Sequence, residues 1–325
     1  MTYKNTYMKK TTELDDYPTV KGPNLDKKIT LQEFLNSYET TGFQATNLGR
    51  AIKIVEDMIK QKSKIILVFT GNAISSGLRE IITYLVKQKK VHYVITSGSG
   101  VEEDAIKSMA DFKLGEFNIP GRFLFEHGVG RIGNILVPNS RYLNYERFLS
   151  PILKEFKGKT ITPTQLTKKM GENLGKDSYL YWAQKNNIPV HSPTILDGST
   201  GDLTYFFKQK NTLLVDVSED QKKLTDELLQ EEDVSAIILG GGVPKHYCLN
   251  ANILREGLQR AVYLTTAQEF DGSDSGGNEE EAKTWAKLNI NSKHAKVTAD
   301  FTITFPILIA ATFSKKNLNE ARKLK

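Results

Sequence analysis

The apolar run Ile65-Ile66-Leu67-Val68-Phe69, closing on Thr70 and breaking into Gly71-Asn72-Ala73-Ile74-Ser75-Ser76-Gly77, constrains the fold more than any other segment. A run without polar alternation has no wet face, so it reads as a strand buried on both sides of a parallel sheet. The unit recurs. Val91 to Thr96 leads into Ser97-Gly98-Ser99-Gly100 and a helix opening on Glu102-Glu103-Asp104. Ala236 to Leu239 leads into Gly240-Gly241-Gly242, then Lys245-His246. Val262 to Thr265 leads into an acidic loop, and Ala295 to Ala299 ends at Asp300 before a helix around Phe305 to Phe313. Strands alternating with helices, with small residues after each strand, predict an α/β fold. The expected form is a doubly wound, mostly parallel, Rossmann-like sheet in a single large domain.

Leu48, Ala51, Ile52, Val55, Met58 and Ile59 recur at helical spacing and predict a core helix ahead of the first strand. Residues 1 to 29, with Lys9-Lys10, Asp15-Asp16, Pro18 and Pro23 and little periodicity, read as an N-terminal extension; residues 30 to 325 read as one domain. Residues 127 to 150 read as a long ordered loop, and Lys154 to Asp177 as a helical insertion.

A net charge of +6, from 44 basic and 38 acidic residues, suits an acidic partner. It is too mixed for a nucleic-acid binder, and no basic stripe is interleaved with aromatics. The one cysteine, Cys248, excludes an intrachain disulfide and a thiolate metal site, and fits a reducing compartment. Met1 to Pro18 is too polar for a signal peptide or anchor, and Phe305 to Ala311 is too short to cross a bilayer. A cytoplasmic protein is expected.

Glu269-Phe270-Asp271-Gly272-Ser273-Asp274-Ser275-Gly276, followed by Glu281 and Trp285-Ala286-Lys287, gathers acids, small residues and a lysine on or near the next helix. Such a set could line a polyamine pocket: carboxylates for ammonium ends, an indole for methylenes, and an amine able to attack an imine. The competing reading is an acidic surface loop with a solvated lysine. Leu196-Asp197-Gly198-Ser199-Thr200-Gly201-Asp202 adds two carboxylates but lacks the alternating acids and terminal glutamate of a calcium loop. The five histidines are scattered, so no metal site is expected. The glycine turns at Gly71, Gly98 and Gly240 suit a dinucleotide, because backbone N–H groups and a helix dipole meet a pyrophosphate there; none is a full G-x-G-x-x-G. His246 at a helix start is either a proton acceptor at the cleft mouth or a structural histidine.

From about Pro18 to Phe313 the chain resembles the deoxyhypusine synthase family. The resemblance rests on Thr40-Thr41-Gly42-Phe43-Gln44-Ala45-Thr46-Asn47, Ile74-Ser75-Ser76-Gly77, Gly100-Val101-Glu102-Glu103-Asp104 and Arg131-Ile132-Gly133-Asn134. To these it adds Asp197-Gly198-Ser199 with Asp202, Gly240-Gly241-Gly242-Val243 with Lys245-His246, and Thr266 through Gly276. It implies an NAD-dependent transfer of the aminobutyl group of spermidine to one lysine of the precursor of translation initiation factor five A. A homospermidine synthase, with putrescine as acceptor, is the alternative. By the same resemblance Lys287 forms the enzyme imine and His246 sits beside the secondary amine. Glu102, Glu103, Asp202, Gly272, Ser273, Asp274, Glu281 and Trp285 complete the substrate site. NAD contacts Gly71, Asn72, Ala73, Ile74, Ser75, Ser97, Gly98, Ser99, Glu103, Asp197, Gly241, Thr266, Ala267, Asp300 and Phe301. The resemblance also implies a homotetramer, a dimer of dimers with active sites at the dimer interface. Gly71 stands where serine is common, and Ser97-Gly98-Ser99-Gly100 replaces a more usual Thr-Ala-Gly-Gly.

Overall fold

The computed structural model describes residues 14 to 313. In chain order its strands are β1 (Lys64–Phe69), β2 (Tyr93–Thr96), β3 (Lys113–Leu114), β4 (Val129–Ile132), β5 (Ile135–Pro138), β6 (Thr160–Ile161), β7 (Val190–His191), β8 (Leu214–Val215), β9 (Val234–Leu239), β10 (Leu258–Thr265) and β11 (Leu288–Thr298). Six of them make one sheet in the order β11-β10-β9-β1-β2-β7, with every pair parallel. Winding runs outward from β1 through β2 to β7, then restarts on the other side at β9. The direction therefore reverses between β1 and β9, and the carboxyl ends of these two strands form the crevice where open α/β sheets bind ligands.

The unbroken apolar pattern of β1 has the expected cause. Ile65, Leu67 and Phe69 enter one core cluster while Ile66 and Val68 enter another on the opposite face. In β9, Ile237 and Leu239 join the first cluster and Val234, Ala236 and Ile238 the second. Helix Phe43–Lys60 seals the first face with Leu48, Ala51, Ile52, Val55 and Met58. Ile59, expected with them, is 41 % exposed. Among the described residues no helix is long and apolar enough to cross a membrane. Residues 14 to 29 hold no helix or strand, and the part of the expected extension before Leu14 lies outside the described residues.

Residues 127 to 150 are not a loop. They form the hairpin β4–β5, which β3 extends to a three-stranded antiparallel sheet, and then most of helix Ser140–Glu155. The hairpin turns on Gly133-Asn134, where Gly133 takes φ +59°. That glycine-asparagine pair was the overlooked signal, because four-residue strands are too short to show a period. The expected insertion from Lys154 resolves into the end of that helix, strand β6 and helix Pro163–Glu172.

Candidate active site

Every glycine- or serine-rich turn lies at the carboxyl edge of the sheet, because all six strands run the same way. After β1 the Gly71 N–H donates to the Ser97 hydroxyl after β2 at 3.1 Å, and Ser97 shares a second bond with Ser99 at 2.9 Å. A Cβ on Gly71 would strike the Ser99 side chain, and one on Gly98 would strike Asp197 Oδ1 and the Thr194 carbonyl. A Cβ on Gly241 would come within 2.7 Å of Ser275, whose hydroxyl accepts from Gly242 N–H at 2.8 Å. The backbone is thus bare where β1, β2 and β9 end, and it flanks the amino terminus of helix Gly98–Met109. The N–H groups of Gly71, Gly98 and Gly242 already donate to Ser97, Thr194 and Ser275, so what fits a dinucleotide here is the position of these side-chain-free turns at the switch point beside a helix amino terminus. Ala73 and Ile74 are fully buried and Phe301 nearly so. These three belong to the core wall. Asp300 caps helix Phe301–Thr312, accepting from Thr302 N–H at 2.7 Å, and Ala267 N–H donates to Thr265 at 3.1 Å.

A second group surrounds the buried pair Glu102 and Glu103. Their helix is fixed by Asp104, which takes Arg79 Nε at 2.7 Å and Ser178 Oγ at 2.6 Å in the protein interior. Glu102 accepts from Thr200 N–H at 2.9 Å and its hydroxyl at 3.2 Å. Burial nevertheless holds its carboxyl above the ordinary range. Glu103 accepts from Ser75 Oγ, and burial pushes its pKa up to about 7. Tyr142 faces the same pair; burial and then the charges of Glu103 and Glu102 raise its phenol. Sequence reasoning missed Tyr142 because it lies in the stretch read as loop.

The third group carries the reactive side chains. Lys287 Nζ is 3.6 Å and His246 Nδ1 3.1 Å from one oxygen of Asp274. The other oxygen, Oδ2, is buried and has no hydrogen-bond partner among the described residues. Leaving a carboxylate oxygen so is costly unless a ligand donates to it. The acidic loop is pressed into place: a Cβ on Gly276 would strike the Gln268 carbonyl. Glu281 borders the loop, its Oε2 3.3 Å from where a Cβ on Gly277 would sit. Asp271 makes the loop tip, accepting from Ser273 N–H at 2.8 Å, with Gly272 at φ +70°.

Lys287 is not on the helix. Helix Glu279–Thr284 ends at Trp285, Ala286 turns left-handed at φ +52°, and Lys287 N–H returns to Ala282 O at 3.0 Å while Ala286 N–H returns to Lys283 O at 3.0 Å. This paired return is a Schellman motif, and it delivers Lys287 from the helix end into β11. Its side chain is 12 % exposed. Asp202 is exposed on the first turn of helix Ser199–Lys208, and Trp285 is 64 % exposed. Neither makes a side-chain hydrogen bond or ion pair to either acidic group among the described residues. Thr266 is exposed at the end of β10.

The family model of deoxyhypusine synthase matches residues 33–312. The chain belongs to the deoxyhypusine synthase family. A deoxyhypusine synthase from Senecio vernalis is 42 % identical, the alignment covering 93 % of this chain and 91 % of the relative. A protein named probable deoxyhypusine synthase from Methanocaldococcus jannaschii is also 42 % identical, over 89 % and 95 %. A crystal structure from Entamoeba histolytica assigned to the same enzyme superposes with a TM-score of 0.64 at 29 % identity, over 91 % and 97 %. The matched region contains every strand of the sheet and all three groups described above. Membership in the deoxyhypusine synthase family makes this chain an enzyme.

Proposed function

We propose that this enzyme transfers the aminobutyl group of spermidine to one lysine of the precursor of translation initiation factor five A in the cytoplasm. The observation that carries this reading is the cluster of Lys287, His246 and Asp274 with its buried, unpaired Oδ2. A substrate ammonium would donate to that oxygen, which supplies the missing partner and brings the neighbouring carbon chain beside Lys287. His246 takes the proton of the secondary amine as the C–N bond becomes an imine. NAD would be held by the turns around Gly71, Ser97, Gly98 and Gly241 and, when bound, would supply the hydride acceptor and donor that the reaction needs. The Lys287 amine attacks the imine carbon and 1,3-diaminopropane leaves, so the aminobutylidene group is carried on Lys287. The acceptor lysine displaces it, Lys287 regains its amine, and the new imine is reduced. No net oxidation results.

Among the described residues no hydrogen bond or ion pair joins Asp202, Glu102 or Tyr142 to the lysine group, and both regions expose apolar side chains. Tyr205 and Phe206 share the helix of Asp202 and are 63 % and 66 % exposed; Val243 and Trp285, beside His246 and Lys287, are 49 % and 64 % exposed. These faces support a homotetramer in which the acidic group of one subunit completes the lysine site of another. The test supplies labelled spermidine and NAD with the precursor protein and putrescine together at comparable low concentrations. Label should enter the protein; predominant homospermidine would contradict the assignment.

A further inference from the structure

Two lysines outside the reacting pair grip the acidic loop from behind. Lys245, adjacent to His246, is 3 % exposed, and its ammonium donates to the backbone carbonyls of Asp274 and Gly277, the latter at 3.0 Å. It also lies 5.4 Å from the Tyr263 ring centroid. Lys296, on β11, donates to the Gly276 carbonyl at 2.6 Å and sits 3.4 Å from the Glu269 carboxylate. Three carbonyls within four residues are therefore held by two nearly buried cations. Burial lowers the pKa of Lys245, which marks the cost of keeping a charge there. An ammonium retained at such cost and bonded only to backbone oxygens is suited to fixing that backbone, because charge-assisted bonds are the strong ones.

We propose that Lys245 and Lys296 are positioning residues that strap the acidic loop and aim Asp274 Oδ2 at the substrate ammonium. The inference rests on the reading of Asp274 given above. Strapping and electrostatics predict opposite signs. A cation beside the site repels a cationic polyamine, so its removal would tighten spermidine binding if charge alone mattered. Removal of a strap frees the carboxylate and weakens binding.

The experiment uses full-length Lys245→Met and Lys296→Met. The spermidine KM and kcat are followed by release of 1,3-diaminopropane, the NAD Kd by fluorescence, and folding by thermal unfolding. Lys245→Met should raise KM for spermidine about ten-fold or more, with kcat and NAD affinity changed about two-fold or less. Lys296→Met should move KM the same way by a smaller factor. A KM that falls or stays fixed in both variants overturns the strap. Should Lys245→Met not fold, the direction of KM in Lys296→Met decides. A wild-type enzyme that releases no diaminopropane sinks the reading of the site; a working wild type with unmoved variant KM sinks the strap alone.

Discussion

Replacing Glu103 with glutamine is expected to stabilise the ligand-free enzyme at alkaline pH while impairing catalysis. Glu103 is 8 % exposed, and burial raises its carboxyl from 4.5 to about 7. A carboxyl whose folded pKa lies above its unfolded value destabilises the fold once it ionises. The cost is absent below pH 4.5, grows between 4.5 and about 7, and is fully present above. Roughly 2.5 units at 1.36 kcal/mol each set an upper bound of about 3 kcal/mol. Glutamine keeps an acceptor for the Ser75 hydroxyl and removes the charge. Unfolding by urea at matched protein concentration, at pH 4 and pH 8.5, reads the difference directly. The variant should match wild type at pH 4 and exceed it at pH 8.5, with slower spermidine turnover. Equal stability at both pH values, or a weaker variant at pH 8.5, would refute the idea that ionising the buried Glu103 carboxyl costs the fold stability.

Ala286→Gly should raise the urea midpoint slightly. A left-handed alanine costs about 1–2 kcal/mol and the entropy of glycine returns about 0.5–1, leaving a gain of about 0.5 kcal/mol; a lower midpoint would contradict the Schellman assignment. Asp57 accepts from Arg260 at 2.6 Å and Lys293 at 2.9 Å, and these bonds lower its pKa to about 2. Its contribution is present above pH 4 and lost as pH falls to 2; solvent reaches the pair through the exposed Lys293, so Asp57→Asn should cost about 1 kcal/mol at pH 7 and flatten the stability curve between pH 4 and 2. Wild-type and variant curves that stay parallel across that range would count against it.

The sheet was legible because strands buried on both faces leave unbroken apolar runs, and the glycine turns marked its carboxyl edge. The hairpin β4–β5 was not, since its strands are short and half-exposed. Whether Lys287 lies on the helix or just beyond it was not legible, because Trp285-Ala286-Lys287 contains no glycine to announce the helix end; an alanine occupies the left-handed position instead. The joining of His246, Asp274 and Lys287 through one carboxylate oxygen depends on how β9, β10 and β11 sit side by side, which no local pattern encodes. Lys245 was visible only as the neighbour of His246. Its hold on the loop comes from packing between residues some thirty positions apart.

The central claim is that Lys287 carries the aminobutyl group, and trapping that group tests it most directly. Enzyme incubated with NAD and spermidine labelled in the aminobutyl portion, then reduced with borohydride, should yield one labelled peptide with the modification on Lys287. Lys287→Ala should bind NAD as wild type does and take up no label. Label on another residue, or equal labelling of Lys287→Ala, would contradict the account.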